Sequence, residues 1–153
     1  MMGDLSLCPT NLTVAGYASL FGRRDLIGDI VESGAFVKSL ALLKSQGRSV
    51  RMLWQHDPTQ PIGVWEEVLE DDKGLYVKGR LLTNVARAQD VGSSLRAGVI
   101  DGLSIGYRTK RARKDDKGGR LLSELELWEV SLVTFPMLPD ARVEIHKMEP
   151  KDE

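Results

Sequence analysis

Hydrophobic and polar residues alternate along much of the chain, and this pattern predicts a protein built mainly from strands. An alternation with a period of two places apolar side chains on one face of a strand and polar ones on the other. We expect about seven strands on this basis. They fall at residues 12–19, 50–56, 62–70, 75–82, 101–111, 121–135 and 141–145.

Two segments have helical spacing instead. A first helix is expected from Ser33 to a stop at Gly47, and a second from Thr83 or Asn84 to a stop at Gly98. In both segments apolar residues recur three, four or seven positions apart, which gives each helix one buried face. The inward positions are Phe36, Leu40 and Leu43 in the first helix and Val85, Ala88 and Leu95 in the second.

The connections between strands indicate the fold class. Polar, glycine-containing tips at residues 71–74 and 115–119 predict antiparallel hairpins. The helices do not alternate regularly with strands as a parallel sheet would require. We therefore predict an α+β fold, a small and mostly antiparallel β-barrel flanked by helices. Residues 12–146 form the expected domain, between a flexible leader at 1–11 and a tail at 147–153.

Composition excludes several function classes. The formal net charge is −1, which provides no general attraction for nucleic acid or an anionic membrane. No apolar run is long enough to span a bilayer, and the N-terminus does not resemble a signal peptide. Cys8 is the single cysteine, so an internal disulfide is excluded and a reducing compartment is expected. No metal-ligand spacing or phosphate-binding loop is present, and we expect no cofactor.

The strand that contains Ser104 has an unusual polar face. Ser104 and Gly106 share this face, while Leu103, Ile105 and Tyr107 point the other way. A hydroxyl beside a residue without a side chain leaves room for another backbone to lie close. The simpler interpretation is a half-buried strand whose polar residues happen to be small.

Two further residues suggest chemistry. His56 lies at the end of an apolar strand face beside a turn, where a structural role is the simpler interpretation. Glu129 shares a strand face with Leu125 and Leu127, and a carboxylate there is costly unless it is paired or protonated. Its partner is either a nearby arginine, Arg51 or Arg108 for example, or a histidine that it orients.

Together these residues make a candidate catalytic set. Ser104 is the candidate nucleophile, His56 the base and Glu129 the orienting carboxylate. A serine hydroxyl attacks poorly until a base removes its proton, and a histidine, whose unperturbed pKa lies near 6.5, can do so at neutral pH. A carboxylate at the other ring nitrogen fixes the tautomer and stabilises the imidazolium that forms. Spacing alone does not decide between this set and the structural alternatives.

A series of short blocks adds a resemblance that runs from about Leu12 to Val143. In order, the blocks are Gly16-Tyr17-Ala18-Ser19, Gly28-Asp29 with Gly34-Ala35-Phe36, Leu53-Trp54-Gln55-His56-Asp57, Pro61-Ile62-Gly63, Gly74-Leu75, Gly102-Leu103-Ser104-Ile105-Gly106-Tyr107 and Glu129-Val130-Ser131-Leu132-Val133-Thr134-Phe135-Pro136. This ordered set resembles the prohead serine protease family of tailed phages, the capsid maturation proteases, which is similar to the herpesvirus assembly protease.

The resemblance implies both residue roles and a function. The histidine of the third block is the base in that family and the serine of the "LSIG" block is the nucleophile, which assigns these roles to His56 and Ser104. Glu129 matches an acidic third member, whereas herpesvirus relatives use a second histidine, for which His146 is the alternative. We favour Glu129, because His146 lies near the end of the chain. The resemblance does not identify the oxyanion donors, for which backbone N–H groups in the loop around residues 133–136 are a candidate.

The implied activity is a serine endopeptidase that cleaves scaffold and major capsid protein segments during prohead maturation, together with its own chain. It would act in the host cytoplasm, inside the assembling prohead, without a nucleic-acid or membrane partner. Homo-oligomer formation is left open. The alternative is a catalytically inactive capsid-assembly or scaffold protein that retains the barrel.

Overall fold

The computed structural model describes residues 12–147. The expected leader at 1–11, with Cys8, and the tail from residue 148 onward lie outside the described residues. The described part forms one 8-stranded sheet and two helices. None of the helices in this part is long and apolar enough to cross a membrane.

The element bounds agree broadly with the sequence pattern. The strands are β1 Leu12–Leu20, β2 Ile30–Val31, β3 Arg51–Trp54, β4 Asp57–Glu70, β5 Gly74–Leu81, β6 Gly102–Lys114, β7 Arg120–Val133 and β8 Val143–Lys147. The helices are α1 Val37–Ser45 and α2 Ala86–Arg96. Strand β2 was not predicted, because two residues are too short for any periodicity.

Both helices begin later than predicted. Residues 33–36 form turns, and Gly34 has a φ of +92°, a left-handed conformation that is incompatible with an α-helix. Val85 precedes α2 with an extended backbone, so Thr83 and Asn84 lie outside the helix. The predicted helix ends were closer, because α1 ends just before Gly47 and α2 just before Gly98, both with positive φ.

Strand β7 is paired along both of its edges. Along one edge it pairs antiparallel with β6 over almost the whole length of both strands. Along its other edge it pairs parallel with β2 at Leu121–Leu122 and parallel with β3 at Glu129–Leu132. The sheet is therefore mixed, and these parallel pairs were not anticipated by the prediction of a mostly antiparallel arrangement.

The predicted barrel is not confirmed, because the sheet is not closed by a continuous ladder. The order is β2-β7-β3-β4-β5-β1-β8, with β6 on β7 outside this path. Between β6 and the start of β8 there is one isolated bridge, Gly102 to Arg142. Two flanking hydrogen bonds, from Leu103 N–H to Ala141 C=O at 2.9 Å and from Val143 N–H to Asp101 C=O at 2.8 Å, hold the two strand starts together.

A single hydrophobic core fills the space between the curved sheet and the helices. Strand β6 contributes Leu103 to it, β7 contributes five residues, and α2 contributes Ala88, Val91 and Leu95. The five from β7 are Leu122, Leu125, Leu127, Val130 and Leu132. Strand β6, which carries Ser104, and its neighbour β7 are thus anchored on one face by closely packed apolar side chains.

Leu103→Ala tests this anchoring. Leu103 is 0% exposed, and its truncation should lower the free energy of unfolding by about 2–5 kcal/mol through lost burial and a residual cavity. Leu26→Ala is the matched control, since Leu26 is 67% exposed and the same substitution there should change stability by about 0.5 kcal/mol at most. Urea unfolding measures both, and equal midpoints would contradict the assignment of Leu103 to the core.

Candidate active site

The pairing of β6 with β7 aligns four residues of the candidate site. Ser104 lies opposite Ser131, and Gly106 lies opposite Glu129. Directly opposed residues of an antiparallel pair present their side chains on the same face. Ser104 is 5% exposed, Glu129 8% and Ser131 0%, so three polar side chains are buried together on this face.

A bulge at Trp128 determines which face Glu129 occupies. Gly106 pairs with Glu129 while the next residue, Tyr107, pairs with Leu127, so Trp128 is the extra residue on β7. Leu127 and Val130 consequently both point into the core. The expectation that Glu129 shares a face with Leu125 and Leu127 is wrong, because the bulge moves Glu129 to the opposite face.

His56 lies in a turn rather than at the end of a strand, which corrects the sequence prediction. Strand β3 ends at Trp54, Gln55 and His56 form the turn, and β4 begins at Asp57. The φ angles of Gln55 and His56 are +53° and +61°. A two-residue hairpin with both residues in this region has type I′ character, which normally selects Asn and Gly. Asp57 and Pro58, which follow the predicted strand at residues 50–56, begin β4.

The turn places His56 against Glu129. His56 Nδ1 lies 2.5 Å from Glu129 Oε2. Ser131 Oγ donates to Glu129 Oε1 at 2.7 Å and accepts the main-chain N–H of His56 at 3.0 Å. A carboxylate only accepts hydrogen bonds, so the Nδ1 of His56 carries the hydrogen, and in the neutral imidazole the free lone pair is on Nε2.

This arrangement decides between the two partners considered for Glu129. The carboxylate contacts the histidine, whereas Arg108 donates to Glu126 at 3.0 Å. Arg51 lies opposite Glu129 in the parallel pair with β3, but its side chain is exposed. The structure therefore brings His56 and Glu129 together, as the orienting interpretation requires.

Gly106 provides the space for the carboxylate. A Cβ atom built on Gly106 would lie 2.1 Å from Glu129 Oε2, 2.7 Å from Cδ and 2.9 Å from Cγ. These distances are far below van der Waals contact, so a side chain at residue 106 would displace all three of these Glu129 atoms. Gly106, which shares a strand face with Ser104, thus has a specific steric role.

Ser104 and His56 line one cavity of about 120 Å³. Among the side-chain hydrogen bonds of the described residues, none joins Ser104 to His56. Such contacts in unliganded active sites are often long and tighten only when substrate binds. Ala18, Val31 and Leu138 are among the apolar lining residues.

Tyr107 also lines this cavity, and its pKa is raised, first by burial and then by the negative charges of Asp25 and Asp29. Its phenol therefore keeps its proton at neutral pH. Asp29 is itself buried and accepts two hydrogen bonds from Arg120, at 3.2 and 2.8 Å. The cavity wall thus combines aliphatic side chains and the Tyr107 hydroxyl with the charged residues Arg23, Asp25 and Asp29.

The remaining expectations about the site have mixed outcomes. The main chain of His146 lies in β8 opposite Thr13, so this residue belongs to a paired strand although it is near the end of the expected domain. Thr134 N–H donates to Gln55 Oε1 at 3.2 Å, so one of the backbone N–H groups considered for the oxyanion is already engaged.

Within residues 12–147, no three His, Cys, Asp or Glu side chains are grouped as metal ligands.

Ser131 is the site residue that sequence reasoning missed. It belongs to the same block as Glu129 and lies two positions after it, so the strand alternation places both on one face. That signal was available, but a serine in a strand of mostly apolar residues gave no reason to expect two specific hydrogen bonds.

Solved structures share this fold. The capsid assembly protease of bacteriophage T4 matches with a TM-score of 0.65 and 16% identity, over 87% of this chain and 85% of that one. The KSHV protease, solved with a hexapeptide phosphonate inhibitor, matches with a TM-score of 0.53 and 12% identity, over 89% of this chain and 65% of that one. These likenesses confirm the herpesvirus-protease-like fold.

Sequence relatives show the family. The prohead protease of Enterobacteria phage HK97 is 38% identical over 127 residues, which cover 79% of this chain and 54% of that protein. The chain thus spans about half the length of this curated relative. The family described as "Caudovirus prohead serine protease" matches residues 6–152, nearly the whole sequence. The chain belongs to the Caudovirus prohead serine protease family.

Proposed function

We propose that this chain is a serine endopeptidase that cleaves major capsid and scaffold protein segments, and its own chain, inside an assembling phage prohead. The observation that carries the proposal is the contact of His56 Nδ1 with the buried carboxylate of Glu129, beside a cavity that Ser104 also lines. Family membership supports the same reading, and so does the name of the HK97 relative, "Prohead protease".

The proposed first step is acyl transfer to Ser104. Nε2 of His56 takes the hydroxyl proton as Ser104 Oγ attacks the scissile carbonyl, and the carbonyl π electrons move onto oxygen. The positive charge that develops on the imidazole is stabilised by Glu129 through Nδ1–H. Collapse of the tetrahedral intermediate breaks the C–N bond, and Nε2 returns the proton to the leaving amine.

The second step is hydrolysis of the acyl-enzyme. Nε2 of His56 accepts a proton from water as its oxygen attacks the ester carbonyl, and then protonates Ser104 Oγ as the ester bond breaks. The chain needs no cofactor for either step. Glu129 stays ionised throughout and holds the imidazole in the Nδ1–H tautomer, which keeps Nε2 available as the base.

The first prediction from this mechanism concerns the nucleophile and the base. Ser104→Ala and His56→Ala should each reduce proteolysis by roughly 10⁴- to 10⁶-fold, because the members of such a set act as a unit. Co-expression with the cognate capsid or scaffold protein measures cleavage, and circular dichroism checks the fold. Ser45→Ala, at an exposed serine on α1, is the control and should retain activity. Cleavage by Ser104→Ala would rule out this nucleophile.

A second prediction separates Glu129 from His146. Glu129→Gln keeps the shape but removes the charge that stabilises imidazolium, so the rate should fall by roughly 10²- to 10⁴-fold. His146→Ala should change little, because Glu129 already engages the Nδ1 of His56. Glu126→Gln, on the same strand, is the matched control. If the His146→Ala variant is inactive and the Glu129→Gln variant cleaves at a near-normal rate, the site is of the two-histidine kind instead.

A third prediction uses the close approach of Gly106. Gly106→Ala should displace the Glu129 carboxylate from His56 and lower the rate by on the order of 10²-fold or more, although neither residue is changed. The control is Gly92→Ala on α2, where a Cβ would meet its nearest neighbour at an ordinary 3.5 Å. Full activity of Gly106→Ala in the same cleavage assay would mean that the carboxylate position is unimportant.

A further inference from the structure

Within residues 12–147, the Ser131 side chain hydrogen-bonds both to His56 and to Glu129. Its hydroxyl is fully buried and makes two hydrogen bonds, accepting from the main-chain N–H of His56 at 3.0 Å and donating to Glu129 Oε1 at 2.7 Å. A hydroxyl has one hydrogen to donate, and here the carboxylate receives it. The direction of both bonds is therefore fixed by the chemistry of the partners.

The first bond acts on a strained segment. His56 and Gln55 both adopt positive φ without being glycine, which is unfavourable unless the surroundings hold the turn. Gln55 is held by its N–H to the Leu132 carbonyl at 3.0 Å and by a side-chain contact with Thr134. Ser131 is the residue that holds His56 itself, and the direction of the imidazole depends on this backbone conformation.

The second bond acts on the carboxylate. Glu129 Oε2 faces His56 Nδ1, and Oε1 is held by Ser131. With Oε1 anchored, the carboxylate cannot rotate without losing a buried hydrogen bond. One hydroxyl thus fixes the imidazole from two sides, through the main chain of the histidine and through the acceptor of its Nδ1 hydrogen.

We propose that Ser131 is a positioning residue that holds His56 and Glu129 in the geometry required for proton transfer from Ser104. The proposal rests on the proposed serine protease function, since it concerns the same site. Ser131 does not touch the reacting atoms in this role. Its loss should misalign the base while leaving the substrate-binding surface intact.

Ser131→Ala removes one oxygen atom and provides the test. With a peptide spanning the cleavage site mapped for the wild type, kcat should fall roughly 10- to 100-fold with little change in KM. The matched control is Ser39→Ala. Ser39 is also a buried serine whose hydroxyl accepts a main-chain N–H, that of Leu127 at 2.9 Å, but it does not contact the site. The free energy of unfolding should fall by a similar amount in both variants, and kcat should fall only in Ser131→Ala.

Imidazole ¹H–¹⁵N spectra provide a readout that does not depend on proteolysis. The chain has two histidines, so His146→Ala assigns the signals of His56. The Nδ1–H signal of His56 should be protected from exchange in the wild type and in Ser39→Ala, and should broaden or disappear in Ser131→Ala.

The two outcomes distinguish this inference from the proposed function. If the wild type cleaves and Ser131→Ala keeps its kcat, the positioning role is overturned while the protease assignment stands. If the wild type shows no cleavage, the spectra still decide, and an unchanged His56 signal in Ser131→Ala overturns the positioning role. Loss of that signal supports it in either case.

Discussion

The burial of one carboxylate is the constraint on which the site depends. Glu129 lies 8% exposed within a sheet, where an unpaired charge costs several kcal/mol. Its two oxygens are satisfied by different donors, His56 Nδ1–H and the Ser131 hydroxyl. The bulge at Trp128 turns the side chain away from the core, and Gly106 leaves the space that it occupies. Removing any of these features would leave a buried charge without its partners.

Patterns in the sequence selected the residues from which the candidate site is built. Alternation placed Ser104 and Gly106 on one strand face, and the cost of a buried carboxylate indicated that Glu129 needs a partner, although the face assigned to Glu129 was wrong. The structure pairs Glu129 with His56, one of the two kinds of partner considered. Both polar tips, at 71–74 and 115–119, connect antiparallel strands as predicted. These features depend on local patterns that a single sequence records.

Features that depend on distant contacts were less accessible. The parallel pairing of β3 with β7 joins residues far apart in the chain, and no local pattern reports it. The left-handed turn at Gln55 and His56 lacks the glycine that usually signals it, so the predicted strand runs on to His56. The bulge at Trp128 did leave a trace, since two residues separate the buried Leu127 from the buried Val130 and break the alternation.

Labelling with a fluorophosphonate probe, followed by peptide mapping, tests most directly whether this network activates a serine. Such probes form a covalent bond with a serine whose hydroxyl is deprotonated by a neighbouring base. We expect one adduct, on Ser104, formed by the wild type and not by a chain that lacks the His56 imidazole. The absence of any adduct would contradict the central claim and favour a capsid-assembly protein without catalytic activity, whereas an adduct on Ser131 would contradict the assignment of Ser104 as the nucleophile.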